Sequence, residues 1–197
     1  MGLTFDYPPG ATPLDPDEVQ GLIPKHISTL GQLNEWEYQN ILEAQQWVSG
    51  LRRTDLLSLD FMRVLHKRMF GNTWRWAGEF RTSEKSIGVA PEQISVRLKM
   101  LSDDIVVQQQ YNSYPPLERA ARFHHRLVLI HPFPNGNGRF SRMMADLILV
   151  RSGHPAFSWG EGDLVNAGDT RSRYIAALQA ADAGNYGTLL EFLRINA

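Results

Sequence analysis

The stretch that most constrains this chain is His131-Pro132-Phe133-Pro134-Asn135-Gly136-Asn137-Gly138-Arg139, with Arg142 three residues further on. Apolar residues recur at helical spacing before it, from Leu117 to Ile130, and after it, from Arg139 to Arg151. Two prolines and two glycines within 131–138 forbid a continuous helix, so two helices must meet through a tight loop. Gly136 and Gly138 let backbone N–H groups converge with no side chain in the way. The helix that follows adds its positive N-terminal end, and the combination is an anion site suited to phosphate. A histidine opens the loop, while Arg139 and Arg142 share one face of the next helix. A base, an amide cradle and a cationic clamp therefore fall within residues 131–142.

The same string resembles the signature of the Fic family: His, any residue, Phe, any residue, Asp or Glu, Gly-Asn-Gly-Arg, then Arg three positions on. Residues 131–142 match every fixed position except Asn135, where most members carry an acid. The resemblance implies an all-α, Fic-type helical bundle with a small β-hairpin flap. It also implies that His131 deprotonates a Ser, Thr or Tyr hydroxyl of a target protein. That oxygen attacks the α-phosphate of ATP, AMP is transferred, and pyrophosphate leaves. An unperturbed histidine titrates near 6.5, which suits such a base.

On this reading Asn135, Gly136, Asn137, Gly138, Arg139 and Arg142 bind ATP. Backbone N–H groups of residues 136–138 meet the non-bridging oxygens as charge spreads over them. Arg139 clamps the leaving phosphates and Arg142 reaches the terminal one, while Phe133 anchors the loop from within the core. Asn135 stands where a carboxylate would bind Mg²⁺. An amide oxygen is a weaker metal ligand, so Mg²⁺ is held mainly by the phosphates, or the reaction is slower, or it differs from AMP transfer. Hydrolytic removal of AMP, which acidic members perform, fits less well without a carboxylate to orient water. The Gly-Asn-Gly-Arg half argues against the reversed-nucleotide kinase branch typified by Doc.

Two other regions fit the resemblance. The segment 80–89 is β-branched or aromatic at its ends and turn-prone in the middle, which predicts a small hairpin. In Fic proteins a flap lies here and pairs with the target backbone as an added strand; Ile87, Gly88 and Val89 are its candidates, with a plain structural hairpin as the alternative. Near the C-terminus, Tyr174 to Asp182 is similar to a family segment lining the adenosine pocket. Tyr174 would pack on the base and Asp182 would bond to it or to the ribose; an ordinary amphipathic helix explains the pattern equally well. His124 and His125 point about 100° apart on a helix, so a metal site built from both with His131 is disfavoured in favour of packing and hydrogen bonding beneath the loop.

Reading the chain in order, residues 1–28 form an N-terminal arm, with Pro8, Pro9, Pro13 and Pro16, and residues 29–197 the Fic domain. Helices are predicted over about 17–22, from a Thr29–Gln32 capping box to Gly50, after Ser58 to Gly71, from Pro91 to Gln109, over 117–130 and 139–151, from Thr170 to Ala183, and over 188–194. Trp36 and Trp47 are placed in the core. Net charge is −1 and the pI about 6.6, so no global field draws the 197-residue chain to nucleic acid. Arg119, Arg122 and Arg126 are shared between a cationic patch and ordinary pairing with carboxylates. The chain has no cysteine, hence no disulfide framework or thiol nucleophile. With no membrane-length apolar run and no secretory pattern at its start, a cytoplasmic protein is expected.

Many Fic proteins are restrained by a Ser/Thr-x-x-x-Glu-Gly/Asn helix; no clean match occurs here, so restraint is expected from a separate antitoxin-like partner or is weak. The arm, the Leu33-to-Glu37 segment and the loop together resemble the small bacterial Fic group called mobile mystery protein B. That group is associated with mobile elements and a helix-turn-helix companion. Two further readings stay open: a catalytically weak nucleotide- or phosphate-binding module, and transfer of another phosphate-containing group such as UMP or phosphocholine.

Overall fold

In the computed structural model the described residues are 12–51, 55–161, 164 and 168–193. Eight helices occur among them: α1 Pro16–Val19, α2 Leu30–Ser49, α3 Leu59–Phe70, α4 Ile94–Gln110, α5 Pro116–Ile130, α6 Asn137–Arg151, α7 Asp169–Asp182 and α8 Gly187–Phe192. Their starts follow local chemistry. Thr29 and Gln32 form the reciprocal capping box that opens α2, each accepting the other's backbone N–H at 3.2 Å. The Ser58 hydroxyl accepts the Phe61 amide to cap α3, and Pro116 sits at the first position of α5.

The amphipathic α5 packs between α4 and α6 and presents Phe123, Leu127 and Ile130 to the larger core. Trp74, Phe70, Phe123, Phe133 and Phe140 are the largest fully buried side chains among the described residues. A second cluster, built on Ala120, Ala145, Leu149, Tyr174, Ala177 and Phe192, joins α5 and α6 to α7 and α8. The α5–loop–α6 unit therefore belongs to both cores, and its position is set from two sides.

Two expectations are corrected. The inward stripe of α2 is Leu33, Glu37, Asn40, Ala44 and Val48, which turns the two tryptophans to its flanks. Trp36 is 37% exposed, edge-on to His26. Trp47 is half-buried, stacked on Phe61 with the Arg68 guanidinium over its ring. Second, the segment 80–89 forms no hairpin; among the described residues no strand ladder occurs, only an isolated bridge between Leu22 and Trp74. Its backbone groups are committed elsewhere: the Arg81 N–H donates to the Pro132 carbonyl at 2.9 Å and the Val89 N–H to the Ile130 carbonyl at 3.3 Å. The Arg81 guanidinium takes the carbonyls of Ser83 and Val89, which a ladder would need.

The described part of the arm packs on the rest of the chain. Ile23 and Arg75 exchange backbone hydrogen bonds with Thr73 and Gly21, and the Trp76 indole donates to the Glu18 carbonyl. Residues 1–11 of the arm lie outside the described residues, as do residues 194–197. No described helix is long and apolar enough to cross a membrane.

Candidate active site

The loop that links α5 to α6 owes its shape to side chains that bond across it and pack beneath it. Asn137 accepts the Phe133 amide at 2.9 Å through its side-chain oxygen and donates to the Phe133 carbonyl at 2.7 Å. Its side chain is thus a brace across the loop, and only its backbone remains for an anion. Phe133 is buried and stacks on His66 with ring centroids 3.7 Å apart. His66 accepts the Gly78 amide at Nδ1, so its proton sits on Nε2, which donates to the Asn135 carbonyl at 3.1 Å. Burial first, and the Arg139 charge with it, lowers the His66 pKa to about 3, which keeps the ring neutral for that task. Gly136 has φ +77°, and a Cβ there would lie 2.6 Å from the Phe70 ring; only glycine passes so close.

His131 ends α5 in the left-handed conformation, φ 51° and ψ 60°, uncommon for a non-glycine residue and typical of strained functional positions. Arg81 holds this corner: it is 3% exposed and donates from Nε to the His131 carbonyl at 2.7 Å, with Nη2 reaching the Ile130 and Val89 carbonyls. The imidazole of His131 lines a cavity of about 380 Å³, yet it is 5% exposed and neither ring nitrogen has a hydrogen-bond partner. Burial first, then the charges of Arg81 and Lys85, pull its pKa down to about 4. At neutral pH the ring carries no charge and has a lone pair to offer.

The amides at the start of α6 face the same cavity, which is also lined by Asn135, Gly136, Gly138, Arg139 and Arg142. Among the described residues the N–H groups of Asn137, Gly138 and Arg139 meet no acceptor, as befits a first helical turn. The Gly136 N–H is taken by the Asn135 side-chain oxygen at 2.7 Å. The other end of that amide donates to the Thr12 carbonyl at 3.2 Å, so the Asn135 oxygen is turned into the loop.

The donors present do not fit a protein-held Mg²⁺. Beside Asn135, the carboxylates among the described cavity residues are Glu37 and Asp182. Glu37 is spent on Arg139 at 2.6 Å and on the Trp74 indole at 2.7 Å. Asp182 is paired with His125 at 2.8 Å.

Arg142 is half-buried against α7. Its guanidinium lies 5.8 Å from the centre of the Tyr174 ring, and the Tyr174 hydroxyl meets His124 Nε2 at 2.9 Å. Burial and the nearby Arg142 charge drop the His124 pKa to about 3, so the ring stays an acceptor. Tyr174 lines the cavity but is only 5% exposed, and its ring packs with His124 and Phe192. Asp182 lies at the cavity's other end; its partner His125 is buried and bonded to the Tyr186 hydroxyl at 2.9 Å. The apolar wall between these ends comes from Val128, Leu129, Ile175 and Leu178.

The arginines of α5 are taken up by structural partners: Arg122 with Glu118, Arg126 with Asp104, and buried Arg119 donating to the Tyr114 carbonyl. The flap segment is pinned by the arm, with buried Lys85 between Asp15 and Glu18 and the Ser83 hydroxyl donating to Asp15. Ile87 is 44% exposed and lines the cavity mouth. Gly88 has φ +123° and passes against Arg81 and His131.

The Fic/DOC family model matches residues 56–149, a span that contains α5, the loop and all but the last two residues of α6. The chain carries a Fic/DOC domain. It is 36% identical to Protein adenylyltransferase fic-1 of Caenorhabditis elegans over 145 residues, which is 71% of this chain and 26% of that protein. The chain thus spans about a quarter of the length of that relative. The solved structure of Fic-1 residues 134–508 from C. elegans superposes with a TM-score of 0.67 at 29% identity, covering 88% of this chain and 51% of the other. BepC, a VirB-translocated effector of Bartonella tribocorum solved with bound AMPPNP, shares the fold. Its TM-score is 0.67 at 20% identity, over 89% of this chain and 95% of its own.

Sequence reasoning named His131, the loop glycines and both arginines, which line one cavity, and passed over Glu37, His66 and Arg81. His66 and Arg81 are separated from the loop by 69 and 50 residues in the bonds they make. The signal within reach was indirect: buried charge is rare, and Glu37 falls on the inward stripe of α2.

Proposed function

We propose that this chain is a protein adenylyltransferase that moves AMP from ATP to a Ser, Thr or Tyr hydroxyl of a target protein. The observation that carries the reading is a neutral, unpartnered His131 imidazole sharing one cavity with free amides and two guanidinium groups. The imidazole takes the hydroxyl proton, and the oxygen attacks the α-phosphorus. The bond to the bridging oxygen breaks, and pyrophosphate departs. The amides of residues 137–139 face the charge that develops on the non-bridging oxygens. Arg139 and Arg142 receive the leaving phosphates, which bring with them whatever Mg²⁺ takes part.

At the far end the apolar wall suits an adenine, and the carboxylate oxygen of Asp182 left free by His125 suits a donor on the base or ribose. Tyr174 serves this site through Arg142. For target docking the exposed Ile87–Gly88 edge is the part of the flap available, since Val89 is bonded on both its N–H and its carbonyl. The reading assigns residues 29–197 to the Fic domain and restraint to a separate antitoxin-like partner.

The test is incubation of the chain with a cell lysate and ATP labelled at either the α- or the γ-phosphate. A protein band labelled only from the α-position, and lost in His131→Ala, is the expected result. Label from the γ-position would indicate phosphate transfer instead. Asn135 favours a second reading, a catalytically weak module: nucleotide binding without any labelled band, restored by Asn135→Asp, would support it.

A further inference from the structure

We infer that Glu37 is the positioning residue of Arg139, fixing the guanidinium that meets the leaving phosphates; this rests on the adenylyltransferase reading of the cavity. A glutamate on the inward stripe of a helix is uncommon, because a carboxylate leaves water only when it is fully paired. Glu37 is 2% exposed and both of its oxygens are engaged. Oε1 accepts the Trp74 indole N–H at 2.7 Å, and Oε2 accepts Arg139 Nη1 at 2.6 Å.

The guanidinium is fixed from other sides as well. It lies over the Phe70 ring, 5.0 Å from its centre, and its Nη2 stands 3.5 Å from the Asn135 side-chain oxygen. Trp74 is itself fully buried and stacked on Trp76, so the carboxylate cannot follow Arg139 if the arginine swings. Arginine has five N–H donors, and Glu37 takes one of them. A long side chain that would otherwise sample many rotamers is thereby presented to the cavity in one. A charge-assisted pair of this kind holds direction as well as position.

Glu37→Gln is the variant of choice, because the glutamine oxygen keeps the acceptor for Trp74 while an amide group replaces the acceptor for Arg139. Binding of ATP, inorganic pyrophosphate and AMP is measured by titration calorimetry on the full chain, with folding checked by circular dichroism. Arg139 faces the leaving phosphates, so ATP and pyrophosphate should bind about tenfold more weakly, the effect of about 1.4 kcal/mol, while AMP stays within about twofold. In an Arg139→Ala background the same change should weaken ATP no further. Trp74→Phe, which frees Oε1, should weaken ATP in the same direction by less.

Unchanged ATP affinity in Glu37→Gln would overturn the assignment. So would tighter binding, the mark of a carboxylate that competes with phosphate. Equal losses for AMP and ATP, the mark of a merely structural defect, would do the same. A wild-type chain that binds neither nucleotide would overturn the adenylyltransferase reading along with it.

Discussion

At the scale of single residues, the account turns on what burial does to His131. A histidine with a pKa near 6.5 would be only about one-tenth neutral at pH 5.5. Held at about 4, His131 is still almost entirely in its base form there. The base is lost only as pH falls through about 4, so kcat/KM at pH 5.5 should stay within about twofold of its value at pH 7.5 in a folded sample. A tenfold drop between those pH values would mean that the imidazole is not the desolvated, positively surrounded group described. The charges that add to burial there, Arg81 and Lys85, lie 50 and 46 positions away in sequence. No pattern at 131–142 could disclose them, whereas the motif itself announced the histidine, the glycines and both arginines.

At the scale of elements, the segment after α3 shows most clearly what spacing alone cannot decide. Its composition fits a hairpin as well as the loop observed, because both need a tight turn and short extended ends. The outcome was set by Arg81, whose guanidinium collects carbonyls from Ser83, Val89, Ile130 and His131. That arrangement requires Gly88: a Cβ there would lie 2.4 Å from Arg81 Nη2 and 3.0 Å from His131 Cβ, at a φ that side chains avoid. Gly88→Ala should therefore displace the corner that holds His131, lowering labelling activity by at least about tenfold while destabilising the fold by only about 1–3 kcal/mol. Urea unfolding and a labelling assay on the same sample check both parts; full activity would show that the flap and the base are not coupled. The helices, by contrast, were legible almost throughout, since capping residues and apolar period are local signals. Only the rotation of α2 was misjudged, where tryptophans drew the stripe away from Glu37.

At the scale of the whole molecule, the site places a cluster of uncharged histidines in a core that must remain folded. His66 and His124 have pKa values lowered to about 3 and His131 to about 4, all by burial first. The unfolded chain binds protons at these residues near 6.5 while the folded one does not, so stability falls as pH drops below that value. The slope is about 1.4 kcal/mol per pH unit for each histidine. Asp146, raised to about 6 by burial, opposes it: it takes a proton more readily when folded, so its contribution is present at low pH and lost as pH rises through 6. Three groups against one leave a net loss on acidification. The urea midpoint should decline steadily from pH 6.5 to 5, and a midpoint that holds constant over that range would contradict the burial assigned to these rings.

The central claim is that one nucleotide lies between the His131 imidazole and the amides that open α6. A crystal structure of the His131→Ala variant with a non-hydrolysable ATP analogue tests it most directly. The account predicts phosphate oxygens on the N–H groups of residues 137–139, Arg139 and Arg142 on the outer phosphates, and the α-phosphorus facing the place where the imidazole stood. An analogue bound elsewhere, or one whose phosphates turn away from those amides, would contradict it.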